Sequence, residues 1–215
     1  MRFGFALCLT ASLLALIASE SAVCKEGSRP WIATAGIIRD GGQFGSGVYL
    51  KSGLVITAAH LTALDANMSA RIAGVVLPAK VLKQGSLEDV DLSLLLVDQE
   101  KLPPRMKLPR TQLCEAPPWP GDPVIVVDAR RASRSHIVSP EVLPFTWRNK
   151  FSTLIGDVAT TGNSGSGVFD ANRKCLLGIM SQKITSHMPE GDRDTAKYFV
   201  SAAAIHDFLP AEFRP

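Results

Sequence analysis

Three short strings of this sequence carry side chains that together could turn a hydroxyl against a carbonyl. ITAAH ends at His60, DVDLSLLLVD contains Asp91, and TTGNSGSGVF contains Ser164. A serine hydroxyl is a weak nucleophile until an imidazole takes its proton, and the imidazole needs a buried carboxylate to orient it. His60 closes an apolar run, LVITAAH, with Ala58 and Ala59 leaving room behind it. The other histidines, His136, His187 and His206, lie in loop-like or helical contexts and read as surface residues. Asp91 stands at the mouth of LSLLLV, where a carboxylate becomes buried and can hold an imidazole N–H. Asp89, two residues upstream, would share its face in a strand and is the alternative. Ser164 sits in GNSGSG, with Ser166 as the competing hydroxyl. The glycines allow unusual backbone dihedrals, so that the amides of Gly162 and Ser164 can point at one spot and form an oxyanion hole. Such a donor is worth about 10²–10³ in rate. The chain order His, Asp, Ser differs from that of subtilisins and of α/β-hydrolases, and neither serine centres a GxSxG elbow.

These groups have to be carried on something rigid, and the surrounding sequence reads as β throughout. ATAGIIRD, GQFGSGVYL and GLVITAAH form a strand-turn-strand series punctuated by Gly41-Gly42 and Ser52-Gly53. RIAGVVLPAKVLKQG and DLSLLLVD continue it. The stretch LPPRMKLPRTQLCEAPPWPGD is too rich in proline for a regular sheet and reads as a linker. PVIVVDA, FSTLIGDVA, SGVFD and CLLGIMSQKI then give a second set of strands. Two sets of short strands with turn signals predict barrels or a sandwich. SAAAIHDFL near the end predicts a helix capped by Ser201.

Composition excludes several functions. The chain has 215 residues, 46% hydrophobic and 20% charged, the profile of a globular protein with a sizeable core. Its net charge of +3 is too small to argue for nucleic acid or an anionic membrane. The tightest basic cluster, Arg130, Arg131 and Arg134, has no interleaved aromatics and reads as a solvated loop. Residues 1–24 pair a positive end at Arg2 with an apolar run from Phe3 to Ala18 and then small residues, the outline of a secretory signal peptide. Cleavage after Ser21 or Cys24 fits, and the run is short for a bilayer span. Export permits a disulfide, either Cys24 to Cys114 or Cys114 to Cys175. No two cysteines are spaced CxxC, so a zinc site is not expected.

TAAH, DLSLLLV and GNSGSG resemble the chymotrypsin/trypsin-fold serine peptidases, more closely their compact bacterial members. Pro30-Trp31 and the LGIMS string ending at Ser181 are similar to two further family motifs, and the resemblance runs from about Pro30 to about Phe208. It implies an all-β fold of two six-stranded antiparallel barrels with a short C-terminal helix, divided as 25–112, 113–200 and 201–215. It implies a secreted or periplasmic serine endopeptidase with His60, Asp91 and Ser164 as catalytic residues and Gly162 and Ser164 as the oxyanion hole. The partner implied is a polypeptide substrate, with no cofactor, no metal, no nucleic acid, no membrane in the mature form, and a monomer as the simplest state. A trypsin-fold binding module without turnover is the other class.

The departures from the family carry expectations of their own. Asn163 stands where activated zymogens carry an aspartate for a new N-terminus, so no activating cut is expected. The substrate pocket is expected to be formed by Val158, Ala159, Thr160, Ser181 and Lys183. Val158 stands where trypsin has the acidic floor of its pocket, and Lys183 where the wall is usually glycine. Cleavage after small apolar or acidic residues is expected over cleavage after basic ones. Asp157, one residue from the floor, is the exception to watch: shifted into the pocket, it would favour Arg or Lys.

Overall fold

The computed structural model describes residues 33–107, 111–156, 162–188 and 191–214. Six strands, β1 (Thr34–Arg39), β2 (Gly42–Tyr49), β3 (Leu54–Thr57), β4 (Met68–Ile72), β5 (Val75–Gln84) and β6 (Ser93–Val97), close into an antiparallel barrel in the order β1-β2-β3-β6-β5-β4. A single helical turn, α1 (Pro104–Lys107), lies in the proline-rich segment. Six further strands follow: β7 (Pro123–Val127), β8 (Ala132–Val138), β9 (Leu154–Ile155), β10 (Gly167–Asp170), β11 (Leu176–Met188) and β12 (Gly191–Ser201). They close a second barrel in the order β10-β11-β12-β9-β8-β7. The short helix α2 (Phe145–Arg148) interrupts this second set, and α3 (Ala202–Phe208) ends it. Ser201 caps α3 by accepting from the Ala204 N–H at 3.3 Å.

Hairpin chemistry sets the first barrel. Its turns are dipeptides with both φ values positive: Asp40-Gly41, Ser52-Gly53 and Ala73-Gly74. This pattern matches the right-handed twist of the strands it joins. The first turn is therefore Asp40-Gly41 and not Gly41-Gly42, because Gly42 already pairs with Arg39. The string RIAGVVLPAKVLKQG splits at Ala73-Gly74 into two strands. Other residues also move from their expected contexts. Arg134 and His136 lie on β8, and His187 falls on β11, where loops or helices were expected. Strand β8 alternates exposed and half-buried residues, so only Ile137 on it is fully buried and its apolar signal is faint.

Among the described residues the first barrel has one apolar cluster and the second has two, and a further cluster lies between the barrels. Ile56 and Leu94 of the first barrel pack with Val127, Phe169, Ile179 and Val200 of the second and with Ile205 and Phe208 of α3. Burying such side chains contributes about 1.5–3 kcal/mol each. The cluster fixes one barrel against the other, and so fixes any side chain of the first relative to any side chain of the second. Helix α3 is strapped to β5 by Lys83, whose Nζ donates to the Phe208 carbonyl at 2.8 Å and sits 4.4 Å from the Phe208 ring centre. A disulfide joins Cys114 to Cys175, with Cα atoms 5.1 Å apart, and so ties the inter-barrel segment to the strand entering β11. Cys24 lies outside the described residues.

Candidate active site

Strand β3 is buried along its whole length and delivers its end to the cleft. There Ala59–Leu61 form one 3₁₀ turn. The turn is braced by the Gln84 side-chain amide, which donates to the carbonyls of Ala59 and Thr62 at 3.3 and 3.1 Å. His60 is thereby held at the surface, with 31% of its side chain exposed. Asp91, just before β6, is 3% exposed. The alternative carboxylate, Asp89, is exposed and lies in the loop, where its amide donates to Ser86.

Asp91 accepts every hydrogen bond it makes. Its Oδ2 lies 2.8 Å and its Oδ1 3.1 Å from His60 Nδ1. Oδ1 also accepts from the His60 backbone N–H at 3.1 Å, and Oδ2 accepts from the Ser181 hydroxyl at 2.6 Å. Burial pushes the Asp91 carboxyl up. The hydrogen bonds from the His60 ring, Ser181 and the His60 amide, together with the imidazole charge, outweigh burial and hold it below its ordinary value. An ionised carboxylate accepts only, so Nδ1 is the donor to Asp91, and in the neutral ring this leaves the lone pair on Nε2.

Ser164 comes from the second barrel on a loop gripped from both sides. The Gly165 N–H donates to the Met180 carbonyl at 2.8 Å, and the Ser46 N–H of β2 donates to the Ser164 carbonyl at 3.0 Å. Gly165 has φ +79, and a Cβ there would fall 1.8 Å from the Ser46 carbonyl oxygen and 2.6 Å from Thr57 Oγ1. Only glycine fits. Gly162 is also confined: a Cβ on it would meet Ser166 Oγ at 2.6 Å and Val126 at 2.8 Å. Neither the Gly162 nor the Ser164 amide donates to a described carbonyl. Ser166, the rival hydroxyl, is fully buried and donates to Asn163 Oδ1 at 3.2 Å. Ser46 Oγ donates to the same oxygen at 3.0 Å and accepts from the Ala129 N–H at 2.9 Å. Asn163 is thus held by two hydroxyls.

Ser181 joins the two halves of the site. It occupies a bulge in β11, where the ladder with β12 skips between Met180 and Gln182. Bulges re-aim side chains, and this one turns the Ser181 hydroxyl onto Asp91. Its carbonyl meanwhile accepts from Ser164 Oγ at 3.3 Å. Ser181 was expected to lend its hydroxyl to a substrate pocket, but that hydroxyl is committed to Asp91, and the residue is 2% exposed. Lys183 is exposed on β11, directly opposite Lys197 of β12. Val158, Ala159 and Thr160, together with Asp157, lie outside the described residues.

Three supporting residues were not legible in advance. Ser46 and Asn163 hold the Ser164 loop, and Lys197 places its Nζ 2.6 Å from the Gly162 carbonyl oxygen. From the sequence, Asn163 stands out only as the residue in place of an aspartate. Among the described residues no group of three or more His, Cys, Asp or Glu side chains could hold a metal, and no helix is long and apolar enough to cross a membrane.

Comparison with known proteins agrees with this architecture. The family model of the trypsin-like peptidase domain matches residues 45–179, well over half of the chain. A comparison with curated proteins returned no match. Among solved structures, the Rv3671c protease of M. tuberculosis in its active form is similar with a TM-score of 0.61 at 15% identity, over 96% of this chain and 93% of that one. The serine endoprotease of Yersinia pestis has a TM-score of 0.60 at 18% identity, over 83% and 62%. The MamO protease domain of Magnetospirillum magneticum has 0.58 at 19%, over 84% and 97%. The chain belongs to the trypsin-like peptidase domain family and is a serine endopeptidase of the chymotrypsin/trypsin fold.

Proposed function

We propose that this peptidase works through Ser164 as nucleophile, His60 as general base and then general acid, and Asp91 as the carboxylate that orients His60. The observation that carries the reading is the shared use of Ser181, whose hydroxyl binds Asp91 while its carbonyl binds Ser164 Oγ. Rotation of Ser164 Oγ from that carbonyl towards His60 Nε2 lets the imidazole take its proton as Oγ bonds to the scissile carbonyl carbon. The carbonyl oxygen becomes an oxyanion facing the amides of Gly162 and Ser164. His60 then gives the proton to the departing amine as the C–N bond breaks, leaving an acyl-enzyme on Ser164. Water, deprotonated by His60, releases the acid and restores the serine.

The reading includes export. Residues 1–24 support a signal peptide, and the Cys114–Cys175 disulfide suits an oxidising compartment. Asn163, fixed by Ser46 and Ser166, supports a loop that needs no new N-terminus for its ordering. For the pocket we retain Val158, Ala159, Thr160 and Lys183 as its boundary, with small apolar or acidic residues preferred over basic ones. Reaction with a fluorescent organophosphonate, together with turnover of peptide substrates, tests the proposal. Ser164→Ala should abolish labelling and cut kcat by about 10⁴ or more with the fold intact. Silencing by Ser166→Ala with Ser164→Ala still active would reverse the assignment.

A further inference from the structure

We propose that Gln84 is a positioning residue for the catalytic step, aiming the His60 backbone N–H at Asp91 and so holding the His60 ring between Asp91 and Ser164. The inference rests on the peptidase reading above and extends its machinery to a strand that touches neither substrate nor the reacting atoms. The Ala59–Leu61 turn that carries His60 is three residues long, and its N-cap, Ala58, makes no side-chain cap. Two backbone bonds close it, from the Leu61 N–H to Ala58 and from the Thr62 N–H to Ala59, at 3.2 and 3.0 Å. A single 3₁₀ turn fixes its own orientation poorly, so its bearings come from the polar side chains behind it. The Gln84 side-chain amide donates to the carbonyls of Ala59 and Thr62 at 3.3 and 3.1 Å, using both of its protons. The Thr62 hydroxyl donates to Ala59 at 3.0 Å, so the Ser93 hydroxyl, 2.7 Å away, is the donor to Thr62.

The Ala59 carbonyl and the His60 N–H belong to one planar trans peptide and point in opposite directions. Gln84 and Thr62 hold the carbonyl end, and Asp91 Oδ1 accepts from the N–H end at 3.1 Å. Fixing the carbonyl therefore aims the N–H, and hydrogen bonds to the carbonyl strengthen the N–H as a donor. Strand β5 is built to present Gln84 to this peptide. Its ladder with β6 skips between Val81 and Lys83, leaving Leu82 outside the pairing. An extra residue exchanges the faces of the residues that follow it. Beyond it Gln84 lies directly opposite Ser93, so the two project from one face, and both reach the His60 turn, Ser93 through Thr62. Lys83 takes the other face, where its Nζ donates to the Phe208 carbonyl of α3 at 2.8 Å. Helix α3 thus anchors β5 one residue before Gln84.

The test measures kcat and KM separately on one peptide substrate, with the rate of labelling by a fluorescent organophosphonate, for the wild type, Gln84→Met and Gln84→Glu. Methionine keeps the length and has no donor. Glutamate keeps the shape and, ionised at about pH 8, turns oxygens onto both carbonyls. Loss of two hydrogen bonds to the turn predicts a fall of about tenfold or more in kcat and in labelling rate for both variants, with KM within about threefold of wild type. Full activity of Gln84→Glu beside an impaired Gln84→Met would make the side chain a spacer and overturn the proposal. A rise in KM at unchanged kcat would overturn it too, as would wild-type rates in both variants. Circular dichroism and urea unfolding establish that folded proteins are compared. If only one variant folds, it decides by the same criterion; if neither folds, Gln84 is a stability residue and the proposal falls. A second readout needs no turnover: the NMR signal of the His60 Nδ1 proton, bonded to Asp91 at 2.8 Å, should shift or broaden in both variants, and a signal identical to wild type would contradict the hold on the ring. Labelling keeps the two readings apart. Wild-type protein that never labels on Ser164 sinks the triad and this inference with it, whereas normal wild-type labelling that both variants match sinks this inference alone.

Discussion

Replacing Asp91 by asparagine exchanges one carboxylate oxygen for an NH₂ group and should remove nearly all turnover. In the native site both carboxylate oxygens accept: Oδ1 from the His60 backbone N–H at 3.1 Å, and Oδ2 from Ser181 Oγ at 2.6 Å and His60 Nδ1 at 2.8 Å. Asparagine supplies one acceptor and one donor. With its oxygen in the Oδ2 position, its NH₂ confronts the His60 backbone N–H, donor against donor. A buried donor left unpaired costs about 1–3 kcal/mol. With its oxygen in the Oδ1 position, the backbone bond survives and the Ser181 hydroxyl can rotate to accept. Nδ1 must then accept too, and the ring proton moves to Nε2. The second arrangement leaves fewer conflicts, and it is the one in which His60 has no lone pair for Ser164. Loss of the correct tautomer in a triad of this kind costs about 10⁴ in kcat, which is about 5 kcal/mol of barrier. The assay is kcat on the best available peptide at pH 8, with organophosphonate labelling rates in parallel and circular dichroism to confirm folding. An Asp91→Asn protein within tenfold of wild type would refute the reasoning.

Other outcomes follow from the same structure. Gly165→Ala combines a positive φ with a Cβ 1.8 Å from the Ser46 carbonyl, so it should destabilise the fold by about 2–4 kcal/mol in urea unfolding and abolish labelling; an unchanged midpoint would contradict the packing described. Asp91 and Asp170 are both held below the ordinary carboxylate value: at Asp170 burial raises the carboxyl, and bonds from the Arg173 amide and guanidinium and the Asn172 amide, with the Arg173 charge, outweigh it. The stability they contribute is therefore complete above about pH 4 and lost as pH falls through their lowered folded values; urea midpoints should drop below pH 4, and less steeply in Asp170→Asn. The Cys114–Cys175 bridge spans 61 residues, so changing both cysteines to alanine should cost up to about 4 kcal/mol, read as a lower urea midpoint with a larger m-value, since the uncrosslinked unfolded chain exposes more surface. Protein beginning at Lys25 should be fully active without a further cut, since Asn163 is already held by Ser46 and Ser166; activity that appears only after nicking by another protease would contradict this.

What could be read from the chain and what could not divide along physical lines. His60, Asp91 and Ser164 were legible as candidates because the chemistry demands those residue types, and because an apolar strand must run up to the first and away from the second. The paired barrels were legible from hairpin punctuation and from a linker too rich in proline to hold a strand, whose described part makes only an isolated bridge, Leu113 to Leu176. The Asp40-Gly41 turn was displaced by one residue because glycines at 41 and 42 offered two choices, and only pairing decides between them. Ala73-Gly74 escaped notice because alanine is not a turn former, yet the flanking strands force it to φ 50. Strand β8 was invisible because its exposed arginine and histidine alternate with half-buried serines and only Ile137 is fully buried. Ser181, Ser46 and Lys197 depend on partners 90, 117 and 35 residues distant, and no local pattern signals such contacts. The bulge that turns Ser181 from the pocket to Asp91 is likewise a property of the ladder.

The account stands or falls on Ser164 as the nucleophile. The most direct measurement is the site of covalent attachment of an organophosphonate to the purified protein, read by mass spectrometry of its peptides. The account predicts a single adduct on Ser164, lost when His60 is changed to alanine. An adduct on Ser166, or full peptidase activity from a protein that carries none on Ser164, would contradict it.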